Sequence, residues 1–484
     1  MAHKTGTAQN LEDLFGQMVS FLTTDNTLKE KGQAWQVLRM HRDNLAEMTS
    51  DMPGVRPQTC RYDARSLNTD DISGGYGYFY SSAATMGTSF VRFKLREAKA
   101  VKTVRLRAST RSGYAQYMLR DFRLQYSDDN TSWITALTVT SAEPFLYGDW
   151  RDYSIPGNPG AHLYWRIVLD SAYGASVAWA SMLLLDEAGE VANHFGSEVI
   201  LKGVGNAGTD AIYVGIRSEY DAAAGWYNLF LNGYAGFDPN ERSWFEQPGA
   251  LPGHGVSYTA ATPMVPCWDA PMPYWFSASG RSFRFGIKVS TSYEGGYLGF
   301  ILPYATPGQY PYPLAVGGSL VPTNNYRSSE WRYSYVSAMH GTYPGPGGSG
   351  TPSGSGIWTT LYLRHADGNW NYLGNRYMSS GTEVLYSPEN GAWRSVWPHC
   401  INSRQGYGRR AYRECLGGGY LLQPCILVQS NPAPVVLGEL EGTYIVSGYE
   451  NAAENTLAFD GKTHVVLQNA YRSTVHEFWA LSLD

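Results

Sequence analysis

The spacing of apolar positions changes once along the chain. Leu11, Leu14, Phe15, Met18 and Leu22 recur at helical intervals, with Asn10 placed to cap and Glu12 and Asp13 in the first turn, where the helix dipole favours carboxylates. This predicts an amphipathic helix from residue 10 to about residue 23. Residues 28 to 48, with Trp35, Leu38 and Leu45 apolar and Arg39, His41 and Arg42 on other faces, read as a second helix. Two helices of this size bury too little surface to stand alone. Residues 1–55 are therefore expected to be a helical docking segment, packed on the β structure that follows or on a neighbouring subunit.

After Met52-Pro53-Gly54 the period falls to two. Ser89 to Leu95, Val101 to Arg107, Phe122 to Tyr126, Ile134 to Val139 and Tyr164 to Leu169 alternate apolar with polar residues, separated by turn clusters such as Ser127-Asp128-Asp129-Asn130. Strands at this spacing predict an antiparallel sandwich over residues 56–190. Further strands follow at 197–202, 211–217 and 226–233, and a hairpin at 281–302. The last are at 435–437, 443–446, 464–467 and 477–481. Two Pro- and Gly-rich stretches, about 237–273 and 341–356, read as long loops in a C-terminal β-rich region spanning 191–484. The expected fold class is mainly β: two or more antiparallel β-sandwich, jelly-roll-like domains preceded by a short N-terminal helical segment. No fixed-period repeat emerges, which argues against a propeller or solenoid.

Composition sharpens this picture. With 484 residues the chain exceeds one ordinary core, and its 53 glycines, 25 prolines and 36 tyrosines suit many turns between pleated, aromatic-rich strands. A formal charge of −5 without a basic run gives no general attraction to nucleic acid. The cysteines, Cys60, Cys267, Cys400, Cys415 and Cys425, are odd in number and scattered, which fits free thiols in a reducing compartment. The first residues lack a basic-then-apolar leader pattern and no run is long and apolar enough to span a bilayer, so cytoplasmic synthesis without membrane insertion is expected.

Candidate chemistry is sparse. Gly203-Val204-Gly205-Asn206-Ala207-Gly208 has dinucleotide-fingerprint spacing, but a strand rather than a helix follows it, so it reads as a hairpin loop. His399, Cys400, Cys415 and Cys425 lack the close ligand pairs of a zinc site. Asp128, Asp129 and Asn130 read as a turn rather than a calcium site, and Asp367-Gly368-Asn369 as a hairpin turn. Asp269, Glu294, Glu330 and Asp367 are loop carboxylates of the type glycan hydrolysis uses, without a spacing that pairs them. No catalytic residue, cofactor or metal is assigned, and a non-enzymatic role is expected.

Two resemblances point to a role. Leu124-Gln125-Tyr126-Ser127-Asp128-Asp129-Asn130-Thr131-Ser132-Trp133, with Leu163-Tyr164-Trp165-Arg166-Ile167, resembles the discoidin-like (coagulation-factor type C) sandwich family, which implies a binding or scaffolding module. The run from Lys202 to Ile216, with Tyr310 to Gly318 and the final Trp479-Ala480-Leu481-Ser482-Leu483, resembles tailed-bacteriophage virion proteins. That resemblance implies a structural component of the tail or baseplate, a symmetric homo-oligomer assembled with other tail proteins. The alternatives are a receptor-binding tail tip recognising a bacterial surface glycan and a glycan-degrading tail enzyme. Tyr274, Trp275, Tyr304, Tyr310, Tyr312 and Trp331, in Pro- and Ser-rich loop-like contexts, are the candidate glycan or partner contacts.

Overall fold

The computed structural model describes residues 1–52, 54–62, 79–109, 113–223, 225–251, 262–318, 361–372, 396–399, 419–429, 435–446, 448, 450–468 and 478–484. Their architecture is mainly β and antiparallel. In the first sandwich a five-stranded sheet runs in the order Leu45–Ser50, Phe90–Ala100, Ala161–Ala172, Leu119–Ser127 and Ile134–Val139. It faces a three-stranded sheet of Ser181–Leu185, Thr103–Arg107 and Trp150–Ser154, and a ribbon of Phe79–Ser81 with Val177–Trp179. The period-two pattern explains the closure: Phe93, Leu124, Trp165 and Ile167 from one sheet meet Val104, Leu106, Met182 and Leu184 from the other in one buried cluster.

The remainder stacks three layers. A five-stranded sheet (Met264–Cys267, Trp226–Tyr234, Ile212–Asp221, Glu198–Gly203, Gln36–His41) covers one face of a seven-stranded sheet (Ala2–Ala8, Met272–Ala278, Ser282–Val289, Ser292–Phe300, Leu314–Gly317, Leu361–Arg364, Trp370–Tyr372). Val199, Val214, Ile216 and Leu231 of the first pack with Phe276, Phe283, Phe285 and Leu298 of the second. On the opposite face lies a third sheet, built on Gln423–Gln429, Val435–Val446, Phe478–Ser482 and Lys462–Gln468. There Tyr293, Tyr297 and Leu363 pack with Leu427, Leu467 and Trp479. The alternation at 281–289 thus has no wet face. Arg284 is fully buried and pairs with Glu441 at 3.4 Å, while Gly286 and Gly295 leave room for the Trp479 ring, which a Cβ at either position would approach to 3.3 or 3.2 Å.

The first helix forms as its sequence predicts. Leu11–Thr24 is capped by Asn10, whose Oδ1 accepts from the Asp13 amide at 2.9 Å, and its apolar stripe is buried between the five- and seven-stranded sheets. The second expected helix does not form. A five-residue helix, Asn26–Glu30, stops before Gly32 at φ +64°, and the chain then enters the strands Gln36–His41 and Leu45–Ser50. The physical reason is that Trp35, Leu38 and Leu45 were never one stripe: each packs into a different hydrophobic cluster. Nor is the segment purely helical, because Ala2–Ala8 pairs with Met272–Ala278 as an edge strand of the seven-stranded sheet.

A buried ionic knot joins the sandwich to the layered region. Arg61, at 1% side-chain exposure, donates from Nη1 to Glu219 Oε1 at 2.7 Å, from Nη2 to the Ser218 carbonyl at 2.6 Å, and from Nε to the Phe195 carbonyl. Arg217 meets the same Glu219 oxygen at 2.8 Å, so one carboxylate oxygen bridges two guanidiniums. Removing one partner strands buried charge, which costs far more than the net worth of the pair. Glu219→Gln is expected to destabilise the chain by about 3–5 kcal/mol, measured as a lower denaturation midpoint at unchanged slope.

Candidate functional site

One end of the sandwich presents a cluster of tyrosines built by three separate stretches of chain. In the ribbon strand Phe79–Ser81, Phe79 points inward onto Trp179 at 4.2 Å, so alternation sends Tyr80 outward, where it is 40% exposed. Tyr114 and Tyr117 bracket the 3-10 turn Ala115–Tyr117, whose three-residue period places their rings on one side. The three rings meet edge to face: Tyr80 and Tyr114 at 5.3 Å, Tyr80 and Tyr117 at 5.7 Å, and Tyr114 and Tyr117 at 5.6 Å, with interplanar angles of 72°, 74° and 70°. The arrangement is pinned. Tyr80 Oη and Ser176 Oγ share a hydrogen bond of 3.0 Å, the Tyr173 amide donates to the Met118 carbonyl, and a Cβ at Gly174 would stand 2.5 Å from the Tyr117 ring.

The connection before Trp150–Ser154 exposes Leu146 at 72% and Tyr147 at 58%. Its Gly148 amide donates to the Ser109 carbonyl, and the Ala108 amide donates to the Asp149 carbonyl. Arg151 holds it from below, stacked on Phe145 at 4.3 Å and donating to the Pro144 and Glu143 carbonyls. Asp121 accepts from the Ser171 hydroxyl, the Ser141 amide and the Arg120 guanidinium; the Ser171 bond first and those others after it hold its carboxyl below the usual range. The rings themselves present aromatic faces and phenol hydroxyls. Such a surface stacks on apolar ring faces and exchanges hydrogen bonds with neutral hydroxyl groups.

The residues singled out from sequence lie elsewhere. Tyr274 and Trp275 are not in a loop but in the strand Met272–Ala278, whose alternation is obscured by Pro271 and Pro273. Tyr274 is buried and stacked on Phe276 at 4.1 Å, and Trp275 is half-buried near Tyr293. Tyr310 is buried and donates to the Arg364 carbonyl at 2.7 Å; Tyr312 donates to the Tyr234 carbonyl at 2.8 Å and accepts from the Tyr213 amide. Tyr304, donating to Glu439, stays 57% exposed, and Trp331 lies outside the described residues. The described positions among them do not come together in one site. The tyrosine cluster escaped sequence reasoning because its members sit far apart in the chain; the only local signal is the three-residue spacing of Tyr114 and Tyr117.

The other motifs resolve into structural roles. Gly203 ends one strand and Gly205 turns at φ +71°, so the glycine-rich stretch links the antiparallel strands Glu198–Gly203 and Ile212–Asp221. Asp129 Oδ1 accepts from the Thr131 and Ser132 amides at 2.8 and 2.7 Å and from Ser127 Oγ, bonds that hold its carboxyl far below the usual range, and Asn130 takes φ +61°. Asp367 accepts from the Asn369 amide at the turn between Leu361–Arg364 and Trp370–Tyr372, with Gly368 at φ +83°. Glu294 is buried between layers, whereas Asp269 and Asp367 are exposed. Glu330, Cys400, Cys415 and the His399 side chain lie outside what is described. Among the described residues no group of three His, Cys, Asp or Glu side chains is arranged to hold a metal ion.

No family model and no curated protein matches the chain. Solved structures similar to a small part of it include carbohydrate-binding modules. A CBM32 module from Clostridium perfringens, in complex with GalNAc-β-1,3-galactose, is 12% identical over 28% of this chain and 92% of its own, with a TM-score of 0.21. CBM32-1 from a family 31 glycoside hydrolase of the same organism is 13% identical over 29% and 95%, TM-score 0.21. The family 32 module of Streptococcus pneumoniae EndoD is 12% identical over 32% and 97%, TM-score 0.20.

The placements of two tyrosines separate structural from surface roles. Tyr310→Ala is expected to cost roughly 3–5 kcal/mol through the cavity and the lost hydrogen bond, whereas Tyr304→Ala should stay within about 0.5 kcal/mol of the parent. Paired denaturant titrations of the two variants check this.

Proposed function

We propose that the chain is a glycan-binding protein without catalytic activity, and that the first sandwich binds neutral sugar rings at its tyrosine-bearing end. The observation that carries this reading is the Tyr80, Tyr114 and Tyr117 cluster: three mutually perpendicular rings held at 5.3–5.7 Å, partly exposed, and braced by Ser176 and Gly174. Exposing several fixed aromatic rings at one end of a sandwich adds nothing to its core and provides a preorganised contact surface with little rotamer entropy left to lose. The C–H faces of a pyranose suit the ring faces, and its hydroxyls suit the phenol groups. Recognition of a bacterial surface glycan, and assembly into a phage tail as a homo-oligomer with other tail proteins, are finer readings carried by sequence resemblance alone.

The test is a glycan array that includes GalNAc-β-1,3-galactose, followed by calorimetric titration of a bound glycan against Tyr80→Ala and Tyr114→Ala. Each substitution is expected to weaken binding by about tenfold or more, with stability nearly unchanged, because the affected rings are partly solvated. A parent chain that binds no glycan, or variants that bind as the parent does, would overturn the proposal.

A further inference from the structure

The passage from the sandwich into the layered region runs through residues 191–197, which form no helix or extended strand and yet are entirely buried. This strap is held from several sides. The His194 carbonyl accepts from the Asn44 and Leu45 amides, the Ala192 carbonyl accepts from Asn44 Nδ2, and the Gly196 amide donates to Asp43 Oδ1 at 2.9 Å. Phe195 lies under the Arg61 guanidinium at 5.1 Å. At the centre, the imidazoles of His194 and His41 stack at 4.9 Å with an interplanar angle of 20°, joining the strap to the end of the strand Gln36–His41.

The charges around this pair are defined. His194 Nδ1 lies 2.8 Å from the Gly196 carbonyl, which makes it the protonated nitrogen, and Nε2 lies 3.8 Å from Glu198 Oε2. His41 lies 3.2 Å from Glu190 through Nδ1 and 4.0 Å from Glu198 through Nε2. Arg39, on the His41 strand, approaches Glu198 at 3.7 Å; Arg217 faces Glu198 from the next strand; Arg242 holds Glu190 at 3.3 Å. Arg61 adds its charge from the sandwich side, paired with Glu219. Glu12 on the first helix accepts from Ser197 and Ser218 at 2.5 Å, and Asp43 pairs with Arg96. The buried arginines 39, 61 and 217 thus stand among the carboxylates of Glu198, Glu219, Glu12 and Asp43.

We infer that residues 191–197 are an acid-released strap: protonating His194, stacked on His41 at the centre of the strap, loosens it and frees the sandwich from the layered region. A proton on the buried His194 places a charge out of reach of water, against the stacked His41 ring and near the Arg61 guanidinium. Burial, against the opposing pull of Glu198, holds His194 well below the usual imidazole range in the closed form. The sign follows. Because the opened strap regains the ordinary value near 6.5, it binds the proton more tightly, so the stability that His194 contributes is present above that pH and lost as pH falls through the lowered value. This inference does not depend on glycan binding.

The experiment is amide hydrogen exchange on the whole chain, corrected for the intrinsic pH dependence, at about pH 7.5 and about pH 5.5. Protection of residues 191–197 is expected to fall by about tenfold or more on acidification, while the strand Ala161–Ala172 keeps its protection. His194→Asn, whose amide can still donate to the Gly196 carbonyl but does not titrate, should remove most of that dependence; His41→Asn removes the other half of the stack and serves if the first variant does not fold. A strap that stays protected at the lower pH, protection lost equally in every strand, or unchanged pH dependence in a folded variant would overturn the inference.

Discussion

The carboxylate of Glu219 bridges two buried guanidiniums, and the sandwich meets the layered region around it. Arg61 comes from the entry to the sandwich, while Arg217 and Glu219 lie on the strand Ile212–Asp221. Ion pairs this deeply buried contribute little net stability against an apolar alternative, but they tolerate few geometries, because every unmet donor carries a desolvation cost. The carbonyls of Phe195 and Ser218 take up two more guanidinium hydrogens of Arg61, and Gly196, at φ +66°, occupies a place where a Cβ would collide with the Ser218 carbonyl. The knot thereby links the two cores in one arrangement.

In the layered region the central sheet is buried on both faces, which ordinary alternation does not achieve. Phenylalanines at 276, 283 and 285 fill the side toward the helix and the five-stranded sheet. On the other side small residues give way to the Trp479 ring, and the Arg284–Glu441 pair, bonded to Ser279 and Ser282, absorbs the polar positions. Glycine inside a strand weakens it. Here that cost is offset by the close approach of a tryptophan-bearing third sheet.

Much of the fold was legible in the sequence because period-two alternation and the Asn10-capped helix are local signals. The Asp129 and Asp367 turns and the glycine hairpin at 203–208 were legible for the same reason: each rests on neighbouring residues bonding one another. What failed depended on distant partners. Trp35, Leu38 and Leu45 mimic a helical stripe only while the three cores they enter are unknown. The candidate site was not legible at all. Tyrosine-rich stretches such as Tyr274-Trp275 and Tyr310-Pro311-Tyr312 attract attention, yet they serve packing and carbonyl bonding, while Tyr80, Tyr114 and Tyr117 stand apart in sequence and meet only once the sandwich closes.

The edge strand Ala2–Ala8 bears on how the molecule is made. Its partner, Met272–Ala278, lies more than half the chain away, and the first helix, which follows the strand directly, is buried against sheets that are likewise completed late. During synthesis the sandwich, whose described strands all lie between Leu45 and Leu185, emerges with nearly all of its own pairings available, whereas the earliest residues must wait for their partner strand. Loop closure over that distance is slow compared with local pairing. The order of folding therefore inverts the order of the sequence, and until the layered region closes, an amphipathic helix and an unpaired strand trail from the growing chain as the surfaces on which misassembly would begin.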